Sequence, residues 1–236
     1  MGRFFAAIQF LTLIPAPDGG APAPAVIFFP FVGAVLGLAA GAIRVYLPLP
    51  PGIDALLALA FLVAITGALH EDGLADVADA FRAGRSRDRI LAILKDSRIG
   101  VYGAVALVLT LILRWQSIEL LGALAIPALV AACGASRGAM VLLAAAAHPA
   151  GEGLGKDFCL GLRTPDVVLV GIETAALPFL GGPVIGGVAL LANALAILAA
   201  RAYFHRRIDG VTGDCLGAIC QITEILTLLA FLCRFS

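Results

Sequence analysis

The chain contains more apolar runs of membrane-crossing length than one globular core can absorb. About 20 mainly apolar residues cross a bilayer as a helix. Such runs occur at about 26–47, 54–70, 101–120, 123–147, 166–183, 184–203 and 215–233. Between them lie turn-rich breaks: "LPLPPGID", "AHPAGEGLGKDFCLGLRTPD", "FHRRIDGVTGD" and a Gly-Gly-Pro hairpin signal at 181–183. Composition agrees, with 61% hydrophobic and 14% charged residues and a mean hydropathy of +1.03. Soluble domains run at about 45–50% apolar and about 25% charged residues. The spacing predicts an all-α, polytopic integral-membrane helical bundle. It has about seven transmembrane helices plus short interfacial or re-entrant segments, in a single domain over 1–236.

Charge orients that bundle. Seven spans place 71–100, 148–165 and 204–214 on the side of the amino terminus. Of the 16 Lys and Arg residues, that side receives 13, leaving only Arg44, Arg114 and Arg234 for the other. The positive-inside rule makes the rich side cytoplasmic. A formal net charge of zero gives no reason to expect nucleic-acid binding. The five cysteines form no CxxC pair and no metal spacing, so they are expected to be packing residues. The first 25 residues mimic a signal peptide, with Arg3 and an Ala-x-Ala at 21–23, but Pro15, Pro17, Pro22 and Pro24 break the apolar stretch early. A retained interfacial or re-entrant segment is expected there.

All polar constellations fall on one face. "ALHEDGLADVADAF" brings His70, Glu71, Asp72, Asp76 and Asp79 directly after an apolar run. On a helix, Asp72, Asp76 and Asp79 share an arc of roughly 60°. Like charges at that spacing repel, so a cation must compensate. The donors suit Mg²⁺, which one or two carboxylates hold together with substrate phosphates. The bland alternative is a solvated loop in which these acids pair with Arg82, Arg85, Arg87 and Arg89. "SRDRILAILKDSRIGVYG" reads as an amphipathic helix capped by Ser86 and ended by Gly100. Its far end carries Lys95, Asp96, Ser97 and Arg98, with Lys95 or Arg98 either on a phosphate or as snorkelling basic residues of an interfacial helix.

Arg137 lies within an apolar run, where a charge costs about 2.5–3.5 kcal/mol on insertion scales. It should face a polar interior or a bound anion. In "DGVTGDCLGAICQITE", Asp214, Gln221 and Glu224 share one stripe of roughly 80° if the helix starts at Asp214, and Glu224 lies about 15 Å into the span. A site role and inter-helix hydrogen bonding both fit that placement. Thr212 and Asp214 serve equally as a helix cap or as site residues. If they belong to the site, "TGD" should pack beside "DGLAD", with Gly213 and Gly217 permitting close approach.

"HEDGLADVADAF", "ILKDSRIGVYG", "ASRGAM", "GEGLG" and "DGVTGDCLGA…TE" together resemble the cobalamin synthase family, the adenosylcobinamide-GDP ribazoletransferases. "FFAAIQFLTLIPAP" and "FFPFVGAVLG" extend the likeness in order from Phe4 to Glu224; 149–165 matches more loosely. The resemblance implies a Mg²⁺-dependent membrane transferase of late coenzyme B12 biosynthesis. Such an enzyme joins adenosylcobinamide-GDP to α-ribazole or its 5′-phosphate and releases GMP. On that reading Asp72, Asp76, Asp79 and Glu71 are candidate metal ligands, and Asp79 or His70 the base. Lys95, Arg98 and Arg137 would steady the phosphates, and Asp96, Ser97, Thr212, Asp214, Gln221 and Glu224 would contact substrate. Membrane lipid is the expected surround, and the oligomeric state is left open. The acid pattern is also similar to the CDP-alcohol phosphotransferases, but their later Gly-x3-Asp-x3-Asp is missing. A cation-coupled transporter is a third reading, against which the one-sided clustering argues.

Overall fold

The computed structural model describes residues 2–83, 86–96, 98–151 and 154–233, so Arg85 and Ser97 lie outside the described residues. Eleven α-helices follow one another among the described residues: α1 Gly2–Leu11, α2 Phe29–Tyr46, α3 Pro51–Ile65, α4 Leu69–Ala83, α5 Arg87–Ile93, α6 Val101–Leu121, α7 Ala125–Ala146, α8 Leu154–Leu160, α9 Thr164–Ala176, α10 Pro183–Ile208 and α11 Gly213–Leu232. Each expected apolar run is helical. Five helical stretches are long and apolar enough to cross a membrane, or six if the bent pair α3 and α4 counts as one. The expected count of seven is therefore not confirmed. Part of the difference is that Val101–Ala146 forms a single stretch of 46 residues. At 1.5 Å per residue it is about twice the thickness of the hydrocarbon core. It folds back on itself after Gly122 (φ +53°), because Arg114 and Arg137 reach one carboxylate, that of Glu224.

The bundle is held by small residues as much as by large ones. Lipid tails are as apolar as leucine, so helices in a membrane gain most from close packing. On α2, Gly33, Gly37 and Gly41 lie one turn apart and press on Cys133, Leu129 and Ile126 of α7. A Cβ on any of the three would come within 2.7 Å of that backbone. Alanines fill the rest of the seam: Ala40, Ala128, Ala131 and Ala132 are all fully buried.

Two expectations about the polar face change. The acid stripe lies on a helix as expected, but α4 is not an inter-span connection: it is inserted between α6 and α11, with His70, Glu71, Gly73, Leu74 and Ala75 buried. Two consecutive left-handed residues, Gly67 (φ +62°) and Ala68 (φ +57°), turn the chain through the 85° bend that permits this. Likewise α10 runs to Ile208, shortening the 204–214 loop, and α5 ends at Ile93 rather than at Gly100. Its cap is as expected, Ser86 Oγ accepting from the Arg89 N–H at 3.4 Å.

The amino terminus is also more deeply engaged than an interfacial segment would be. Ala6, Ala7 and Leu11 are buried, and the Phe10 ring stacks on Phe29 and Phe158 at 5.4 and 5.7 Å between centroids. The loops meet at one end of the bundle. Ala150 N–H donates to Val211 O (2.9 Å), and Val211 N–H donates to His148 O (2.8 Å). Arg87 stitches α5 to both loops by donating to Ile208 O (3.0 Å) and Ala150 O (2.9 Å).

Candidate active site

Beneath those loops is a cavity of about 370 Å³, bounded by α1, α4, α5, α7, α8 and α11. Its polar lining is His70, Asp72, Lys95, Thr212 and Asp214. These residues arrive from three separated stretches of sequence because α4 and α11 cross closely. A Cβ on Gly73 would lie 2.9 Å from Asp214 O, and Gly73 and Gly217 face each other across the crossing. The "TGD" and "DGLAD" segments do pack side by side. Gly73 and Gly217 make the approach, whereas Gly213 has open space on that side and instead backs onto Gly155.

Asp76 faces the carboxylates of Asp72, Asp214 and Asp79, so α4 and α11 bring together acids of one sign. The arginines that a solvated loop would use are elsewhere. Arg82 lies over the Tyr102 ring at 5.7 Å, and Arg87 is bound to backbone carbonyls. Among the described residues, neither they nor Arg89 pairs with Asp72, Asp76 or Asp79. No group of three His, Cys, Asp or Glu side chains among the described residues forms a ready-made metal cage. Carboxylates that crowd one another in this way nevertheless fit a hard ion that takes most of its ligands from water and phosphate.

Several candidates take other positions. Asp79 caps α6: its carboxylate accepts the backbone N–H groups of Gly100 (2.7 Å) and Gly103 (2.9 Å). Each oxygen thus accepts one backbone N–H, a capping role that the sequence does not announce for a residue expected as base and metal ligand. Arg98 and Asp96 pair with each other at 2.6 Å in an exposed turn, where the hydrogen bonds from Arg98 hold the Asp96 carboxyl down at about 2. Neither lines the cavity, whereas Lys95 does.

Glu71, Arg137, Gln221 and Glu224 form a sealed network with Arg114, clear of the cavity wall. Arg114 Nη1 donates to Glu71 Oε1 (2.6 Å) and Gln221 Oε1 (3.0 Å), and its Nη2 lies 2.7 Å from Glu224 Oε1. Arg137 pairs with the other oxygen of Glu224 and with Ser136 Oγ (3.0 Å). Arg114, Arg137, Gln221 and Glu224 are each at most 1% exposed. Glu71 and Arg137, expected on metal and phosphate, therefore meet other side chains of the bundle, and so do Gln221 and Glu224, expected at substrate; Glu71 Oε2 and the Nε atoms of Arg114 and Arg137 keep no hydrogen-bond partner there.

The charge count puts Arg114 on the opposite side and gives it no site role. The rule that singled out Arg137 applies to it equally, since it stands in the middle of "VLTLILRWQSIELL". Sequence reasoning also missed the apolar walls of the cavity. Single apolar residues scattered over five helices carry no signal until the helices are assembled.

Comparison with known proteins agrees with this geometry. The model of the family described as cobalamin-5-phosphate synthase matches residues 3–232. A protein of Geotalea daltonii called adenosylcobinamide-GDP ribazoletransferase is 37% identical, over 96% of this chain and 95% of its own length. One of Bradyrhizobium diazoefficiens with the same name is 41% identical over 94% and 90%. No solved structure matches. A family match over nearly every residue, with the family's motifs meeting at one cavity, places this chain in the cobalamin-5-phosphate synthase family.

Proposed function

We propose that this chain is a membrane transferase that joins adenosylcobinamide-GDP to α-ribazole or its 5′-phosphate and releases GMP. It would act in the late part of coenzyme B12 assembly. One observation carries the reading. Asp72, Asp214, Thr212, Lys95 and His70, drawn from three motifs shared with that family, line one cavity at the loop-bearing end of the bundle. That end faces the cytoplasm of a bacterial inner membrane on the charge argument.

The reaction forms one bond, from a ribose oxygen to the phosphorus nearer the corrinoid, and breaks the bond from that phosphorus to GMP. Such transfers need positioning and charge stabilisation more than covalent chemistry. Asp72, Asp76 and Asp214 would hold Mg²⁺, and the bound ion would supply charge neutralisation for the diphosphate and the departing GMP. Lys95, on the cavity wall, steadies a phosphate oxygen. Both ring nitrogens of His70 lack a hydrogen-bond partner while the ring borders the cavity, so His70 accepts the proton of the attacking hydroxyl. The apolar walls keep water from competing for the phosphorus.

Purified protein in detergent, given adenosylcobinamide-GDP, α-ribazole and Mg²⁺, should release GMP in step with corrinoid product. Absence of GMP from well-folded protein defeats the proposal. Orientation is tested separately in a functional background lacking native cysteines. Cysteine placed at Gly52 should react with an impermeant thiol reagent in intact cells, and cysteine at Ser86 should not. Labelling of both, or the reverse, overturns the assigned sidedness.

A further inference from the structure

Only the polar lining of the cavity is used above. Its apolar lining includes Phe10, Leu91, Leu94, Met140, Phe158 and Leu216. Phe10 and Phe158 are nearly parallel, at 7° between planes and 5.7 Å between centroids, and Phe29 backs both rings at 5.4 and 5.8 Å. Three mutually packed rings make a rigid flat surface, and side chains with few rotamers lose little entropy on binding.

A volume of about 370 Å³ is at the low end of small-molecule sites. It has room for a nucleoside and not for a corrinoid macrocycle with its side chains. Of the three nucleoside bases in the proposed reaction, guanine and the adenine of the adenosyl group carry several donors and acceptors that this wall would leave unpaired, at a cost for each. The methylated benzimidazole of α-ribazole is flat and mostly apolar.

We infer that Phe10 and Phe158, with Met140 and Leu216 beside them, form the subsite for the base of α-ribazole. The corrinoid and guanosine parts of the other substrate then lie outside the cavity, with only the diphosphate reaching its polar mouth. The inference rests on the proposed function for the identity of the nucleoside. It also gives α1 a purpose, since that helix supplies one of the two stacking rings.

The test measures equilibrium binding of radiolabelled α-ribazole and of adenosylcobinamide-GDP to detergent-purified wild type, Phe10→Leu and Phe10→Tyr. Leucine keeps the apolar bulk and removes the ring; tyrosine restores the ring. Loss of stacking should weaken α-ribazole binding about three- to tenfold in Phe10→Leu. Phe10→Tyr should stay within about twofold of wild type, and adenosylcobinamide-GDP should bind all three equally. Unchanged α-ribazole binding in Phe10→Leu overturns the inference, as does a loss confined to adenosylcobinamide-GDP, which would assign the wall to guanosine. Wild type that binds α-ribazole through this wall yet releases no GMP would count against the proposed function and leave the subsite standing.

Discussion

Two acidic assemblies lie close together in this molecule and have opposite characters. Glu71 and Glu224 are buried, and each faces a guanidinium. Asp72 and Asp214 line the cavity, and Asp76 faces both of them. Glu71 and Asp72 are adjacent in sequence, and a helix turns neighbouring residues about 100° apart. One therefore points into the bundle and the other towards the cavity. The contrast separates two uses of charge in a membrane protein. A paired set fixes the relative positions of α4, α6, α7 and α11, while the second set is, in the proposed function, the one that a bound ion completes.

The contrast is broken most severely by attacking the sealed set. Glu224→Leu leaves Arg114 and Arg137 without half their compensation. Stripping one partner from a buried pair costs about 3–5 kcal/mol. Thermal denaturation in detergent should show a large fall in midpoint. Adding Arg137→Met to Glu224→Leu should recover much of it, because Glu71 and Arg114 still balance. A midpoint unchanged in the single variant would mean that the network does not hold the fold.

Attacking the open set should do the reverse. Asp72→Asn and Asp76→Asn should each lower GMP release by about 10³-fold, roughly 4 kcal/mol of barrier. The thermal midpoint should hold or rise, since repulsion among the acids is relieved. Turnover within tenfold of wild type would remove these acids from the site.

Asp214 sharpens the boundary. Serine keeps a competent cap at the start of α11, so a purely capping role predicts normal kinetics for Asp214→Ser. Membership of the open set predicts about a 10²-fold loss with the fold intact.

Mg²⁺ should discriminate more gently. At about ten times its dissociation constant, an ion that binds only the folded state adds about 1.4 kcal/mol. That is a few degrees in the midpoint for a chain of this size. Wild type should show the gain and Asp72→Asn should not. Equal shifts in both would place the ion elsewhere.

Asp79 gives the smallest effect. Removing a helix cap costs about 1 kcal/mol, so Asp79→Ala should lower the midpoint slightly and change turnover little. A hundredfold loss of activity in a folded protein would return Asp79 to the reacting centre.

The sequence by itself determined the solvent of this protein, because a run of 20 apolar residues has few places to go other than lipid or a core. It also determined that Arg137 and Glu224 need partners, since an unpaired charge inside an apolar helix is too costly to leave alone. Periodicity was enough to put Asp72, Asp76 and Asp79 on one stripe. It could not tell which of them would meet a ligand, as Asp79 became a cap only when the start of α6 arrived beside it. Whether a charge is answered by another side chain or left open depends on what the neighbouring helices present at the same height. In this bundle glycines decide that height: Gly73 and Gly217 let α4 and α11 close to backbone contact. Arg114 thereby meets the acids of both helices, and Asp214 comes to rest beside the acid stripe of α4. Contacts between residues as distant in the chain as Glu71 and Gln221 are set by packing, which no local pattern encodes.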